Sequence, residues 1–203
     1  MGRMHSIDSI DKHRCSVISI VSVLAAMAAT LLSGASPEYL SVVHKFSLIE
    51  QDSLKPGSRV TLTPRELNAY AQQEIAEAAP GAVRNPQLEL GSGTATASAL
   101  IDFGKLRRSE GKSPGWIMSA LLDGERPVTI TARIRSADGT ATVDVESVEI
   151  SGITIEGPML DFLLRNYLIT AYPDAKVGKP FDLGHRIERL DVQPSAVGVI
   201  IGR

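Results

Sequence analysis

The sequence predicts an α+β domain: a curved antiparallel sheet of roughly five or six strands, packed by two main helices and preceded by an apolar leader helix. Three observations carry that expectation. Segments of alternating polarity follow one another with only short turns between them, which favours antiparallel pairing. Two helix-length stretches, one from Thr63 and one from Gly157, interrupt the strand pattern. The chain has 203 residues, and once the leader is set aside the remainder suits a single core.

Composition narrows the function. Aromatic residues are only 4% of the chain, so the core must be built from Val, Ile, Leu and Ala. The formal net charge is −2, and no basic face of the kind that binds nucleic acid is evident. The single cysteine, Cys15, excludes an intramolecular disulfide and a thiolate zinc site within one chain.

The N-terminus reads as an address. Arg3, Lys12 and Arg14 precede an uncharged run, Cys15 to Leu32, and Ser33-Gly34-Ala35 places small residues at the −3 and −1 positions of a cleavage site. As a helix the run would rise roughly 27 Å, close to the ~30 Å of bilayer hydrocarbon. Residues 1–35 are therefore expected to be a signal peptide, or a membrane anchor through residues 15–32 if uncleaved. The remainder is expected outside the cytoplasm, in the periplasm or on the extracytoplasmic face of the membrane.

Residues 36–59 read as a spacer that docks on the domain, and 60–203 as the domain itself. Thr63-Pro64-Arg65-Glu66 has the residues of a capping box with proline at the first helical position. Leu67, Tyr70, Ala71, Ile75 and Ala78 then share a helical face, and Pro80-Gly81 stops the helix. Leu88 and Leu90 begin a strand in which Gly91-Ser92-Gly93 suggests a bulge or bend. Ala95, Ala97, Ala99, Ile101 and Phe103 continue it with one apolar face. Trp116 to Leu122 has the length of two helical turns. Val128, Ile130, Ala132 and Ile134 alternate with polar residues, Asp138-Gly139 marks a hairpin, and the return strand changes parity between Val145 and Val148, which predicts a bulge near Glu146-Ser147. After the second helix, Ile187, Leu190 and Val192 form a strand with parity broken at Arg189. Val197, Val199 and Ile201 end the chain as the last strand.

The second helix, 158–172, is the most apolar in the exported part. Met159, Leu160, Leu163, Leu164, Tyr167, Leu168 and Ala171 make a broad core arc, whereas Phe162 and Ile169 form a separate ridge. That ridge either packs on the Thr63 helix or on Trp116 to Leu122, or it lines a groove for an acyl chain; contact with a membrane or a partner is the third option. Leaving large apolar side chains in water is unusual without a function. Candidate ligand contacts are Tyr70, Trp116, Phe162, Tyr167 and Ile169. Lys105, Arg107, Arg108 and Lys112 form a basic loop that is either simply solvated or meets anionic headgroups.

Catalytic and cofactor motifs are not evident. His44 and His185 have no metal-ligand spacing around them, Gly91-Ser92-Gly93 is neither a nucleophile elbow nor a phosphate loop, and Asp144, Glu146 and Glu149 read as a solvated strand face. Glu74, on the apolar arc of its helix, reads as an edge residue. No catalytic residue, metal or cofactor is assigned, and the chain is expected not to be an enzyme.

Val60-Thr-Leu-Thr-Pro-Arg-Glu-Leu-Asn-Ala-Tyr70 resembles the helix opening of the YpmS-like bacterial envelope proteins. The order of elements from Val60 to Arg203 resembles the outer domain of that family, although Gly152-Ile-Thr-Ile-Glu-Gly-Pro158 lacks the Leu-Pro pair usual before the second helix. The resemblance implies half of a tubular lipid-binding (TULIP-like) module and a lean towards lipid binding. The function expected is non-enzymatic, with an apolar ligand, a lipid, held between helix 158–172 and the sheet. The alternative is an envelope scaffold with a filled core.

Overall fold

The computed structural model describes residues 35–105, 124–165 and 176–203. The leader, the Trp116 to Leu122 segment and the later turns of the second helix lie outside these residues. Among the described residues the protein is α+β, with every named strand pairing antiparallel.

The strands divide into two sheets rather than one. Strands β2 (Val83–Leu90), β3 (Thr94–Asp102), β4 (Glu125–Ala137), β5 (Thr140–Ile150) and β6 (Ile153–Glu156) lie side by side in that order, and the short β7 (Phe181–Asp182) joins β5 at its other end. A smaller sheet of β1 (Arg59–Leu62), β9 (Ala196–Ile201) and β8 (Ile187–Gln193) stands beside it. Backbone bonds Gly93 N to Val192 O (2.9 Å) and Gly139 N to Glu188 O (2.8 Å) tie the two together.

Residues 36–59 are more than a spacer. Helix α1 (Pro37–Glu50) begins at a Ser36 cap, whose hydroxyl accepts from the Tyr39 amide at 3.2 Å. Val42, Phe46 and Ile49 recur at helical spacing and pack against Val60, Leu62, Val199 and Ile201 of the small sheet. Helix α2 (Pro64–Ala78) forms behind the predicted capping box, with both reciprocal bonds present: Glu66 N to Thr63 Oγ1 at 3.3 Å and Thr63 N to Glu66 Oε2 at 2.8 Å. Its Leu67 and Tyr70 close the same core. Asn68 also seals the free edge of β2, accepting from the Leu88 amide at 2.7 Å and donating to the Leu88 carbonyl at 2.8 Å.

In the large sheet the turn chemistry sets the register. Asp138-Gly139 and Ser151-Gly152 have positive φ at both residues (50° and 77°, 53° and 82°), the geometry of tight two-residue hairpins. Glu146 is the extra residue of a bulge, because Thr131 faces Ser147 while Ala132 faces Val145. In the small sheet Glu188 plays the same part between Ile187 and Arg189. Gly91-Ser92-Gly93 is a full reversal between β2 and β3, not a bend in one strand; Gly91 N bonds Thr94 O at 2.8 Å and Gly93 takes φ +69°. Both main helices touch the large sheet, but at opposite edges, β2 and β5–β6. Helix α1 packs on the small sheet, α2 packs on both the small sheet and the β2 edge of the large one, and among the described residues α3 (Gly157–Leu163) lies on the β5–β6 side of the large sheet.

Candidate functional site

Strand pairing sorts the side chains of the large sheet onto two faces. One carries Thr96, Thr131, Arg133, Arg135, Asp144 and the bulge residue Glu146, with Arg133 to Glu146 at 2.6 Å and Arg135 beside Asp144. This is the solvated face, and exposed pairs of this kind contribute little to stability. The other face carries cross-strand rows of apolar residues. Ala99, Val128, Ile150 and Ile153 form one row; Leu88, Ala97, Ile130, Val148 and Ile155 form the next.

The described part of helix α3 covers only part of this face. Leu160 is 3% exposed and seats directly on Val128, Ile150 and Ile155, with Leu164 beside it. At its first turns, then, the space between helix and sheet is filled by Leu160 itself. Beyond the helix the face opens. Ile130 is 37% exposed in the middle of a central strand, opposite the exposed Ala97. The alanines Ala95, Ala97 and Ala99 give β3 a low floor between the taller Leu88 and Ile130. At the helix side Ile153, Met159 and Phe162 are 56%, 62% and 55% exposed. Met159, expected within the core arc, thus faces outward together with Phe162. Tyr167 and Ile169 lie outside the described residues, as does Trp116.

Tyr70 is not part of this face. Its ring stacks on Tyr39 at 6.1 Å and meets Phe46 edge-on at 5.1 Å, inside the core beneath α1 and α2. Burial and the nearby Glu74 charge push its phenol pKa up. Tyr39 is pushed to about 12, by burial first and then by its 3.0 Å bond to Glu74. Of the basic loop, Lys105 is described; its ammonium donates to the Gly81 carbonyl at 3.1 Å and lies 3.5 Å from Asp102, so it fastens the end of β3 to the end of α2. Arg107, Arg108 and Lys112 lie outside the described residues. His185 is exposed in a turn, with φ +45°.

Two features escaped the sequence reading. One is a polar knot around Glu66. Its carboxylate accepts from Lys45 Nζ and Ser41 Oγ, both at 2.6 Å, besides capping α2. Burial pushes this carboxyl up, but the bonds from Lys45, Ser41 and Thr63 outweigh it and hold the pKa at about 2. The other is Arg126, which has the parity of Val128 and Ile130 and so projects from the apolar face, opposite Ile101. Its Nε is buried without a hydrogen-bond partner. The signal was present as a cation on the apolar parity of β4.

Among the described residues, no cluster of three metal-ligating side chains occurs and no helix is long and apolar enough to cross a membrane. No family model matches the chain, and neither a curated protein nor a solved structure matches it.

Proposed function

We propose that this chain is an exported, non-enzymatic envelope protein that binds an apolar ligand, a lipid, against the large sheet beside the helix that starts at Gly157. The observation that carries this reading is the open apolar centre of the sheet, with Ile130 and Ala97 exposed on a face whose Val128, Ile150 and Ile155 are buried beneath Leu160 of α3. Water is a poor occupant of such a surface, and an acyl chain laid over it would remove apolar area at about 25 cal/mol per Å². The basic N-terminal region followed by the uncharged run 15–32 supports export, with membrane anchoring if that run is retained. The order of elements, resembling a curved TULIP-like half-module, points to the same ligand class.

Native mass spectrometry of the protein purified from membranes tests the reading. The expected spectrum contains adducts of lipid mass that organic extraction removes. A bare chain under gentle conditions, together with no binding of added lipid, would overturn it. One observation favours a second reading, an envelope scaffold with a filled core: Leu160 leaves no gap between α3 and the sheet. Substituting Ile130 separates the two, as argued below.

A further inference from the structure

We infer that Arg126 receives the anionic head of the bound ligand, so that the ligand class is an acyl chain ending in a carboxylate or phosphate; this rests on the lipid-binding reading above. Four arginines lie on the described strands of the large sheet. Arg84 pairs with Glu125, Arg133 with Glu146 and Arg135 with Asp144, all in the exposed ion-pair pattern of a solvated surface. Arg126 alone stands on the apolar parity, and its Nε is buried without a hydrogen-bond partner. A buried guanidinium nitrogen without a partner is a costly feature that needs an explanation. A ligand that supplies the missing acceptor is one.

The position suits that role. Arg126 faces Ile101 at the end of β3, and the alanine floor begins at the next residue of the same face, Ala99, and continues through Ala97 to Ala95. From Ile101, which packs beside the Leu160 cluster, to Ala95 the row runs roughly 20 Å at the rise of a strand; it is open at Ala97, between Leu88 on β2 and Ile130 on β4. An acyl chain lying there would place its head at the guanidinium, whose planar fork matches a carboxylate or a phosphate with two parallel bonds. Among the described strand residues of this face Arg126 is the one cation, so it gives the trough a direction as well as an affinity.

The test uses the purified full chain stripped of lipid and two matched probe pairs: cis-parinaric acid with its methyl ester, and a fluorescent phosphatidic acid with the diacylglycerol of the same chains. In R126M the acidic probe should bind at least tenfold more weakly than in the wild type, while its neutral counterpart binds equally to both. The pair that shows this loss identifies the head as carboxylate or phosphate. R126M without ligand should also melt no lower than the wild type, since it removes an unsatisfied group; a merely structural arginine would lower the melting temperature. R126Q provides the same reading should R126M fail to fold. Equal binding of acidic and neutral probes by wild type and variant would sink the role of Arg126 and leave the apolar ligand standing. Failure of the wild type to bind any of the four probes would sink both.

Discussion

The two sheets of this protein solve the same problem differently. The small sheet of three strands is closed by two helices, one of which also caps the β2 edge of the large sheet. Val42, Ile49, Val60, Leu62, Val199 and Ile201 are all buried there, and the buried carboxylate of Glu66 is answered by Lys45, Ser41 and Thr63. The large sheet has more strands and, among the described residues, a single short helix over it; Ile130 and Ala97 stay open and Arg126 stays unanswered. A region whose polar and apolar groups are all satisfied internally has its stability as its evident purpose. A region that leaves both kinds unsatisfied on one face has room for a ligand to complete it. In the reading proposed above, the ligand takes the place where the fold is incomplete rather than one where reactive groups gather.

The largest expected effect lies in the closed region. Leu62→Ala should cost about 3 kcal/mol, the middle of the range for truncating a buried leucine, measured by chemical denaturation. Loss below 1 kcal/mol would show that the small-sheet core is looser than its burial indicates. Glu66→Gln should come close behind, also at about 3 kcal/mol, because it removes the charge that Lys45 answers and weakens the α2 cap. The same residue fixes an acid limb. Its pKa falls from an ordinary 4.5 to about 2 in the folded state, so its contribution is complete above the unfolded value and is lost as pH drops from about 4.5 towards 2. At roughly 1.4 kcal/mol per unit that limb amounts to about 3 kcal/mol. Glu66→Gln should flatten the decline across this window, and an unchanged acid profile would show that the knot around Glu66 is not what the geometry indicates.

Legibility followed the same division. Local rules carried far: the Thr63 box, the hairpin at Asp138-Gly139 and the bulge at Glu146 were all readable, because each depends on residues adjacent in sequence. Helix α1 carried a comparable signal, a Ser-Pro start and Val42, Phe46 and Ile49 at helical spacing, but the polar residues between them read as a tether. What local pattern could not supply was allocation. Nothing in the alternation of β8 and β9 says that they pair with β1 instead of extending the large sheet, and Tyr70 follows α2 into the small-sheet core for that reason. The open face was half legible. Phe162 was recognised as lying off the core arc, yet the open centre at Ala97 and Ile130 depends on how little of the sheet the described part of α3 covers. Arg126 needed only its parity to be followed one step back from Val128.

The smallest effect is the one that best separates the two readings of the large sheet. Ile130→Thr keeps a β-branched side chain, so strand propensity is preserved while an apolar contact is lost. If the face is open, the change should cost the lipid-free protein less than about 1 kcal/mol, as at other surface positions. A filled core over Ile130 would instead leave a buried hydroxyl and a lost methyl group, and the cost should exceed about 2 kcal/mol. The ligand adds a second readout. A lipid that binds only the folded protein raises its melting temperature by mass action, and Ile130→Thr should shrink that rise even though the empty protein is barely altered. Leu62→Ala should behave in the opposite way, lowering the melting temperature while leaving the lipid-induced rise intact. Should both substitutions destabilise the empty protein alike and neither change the response to lipid, the two sheets would be equally closed and the contrast between them would have no functional meaning.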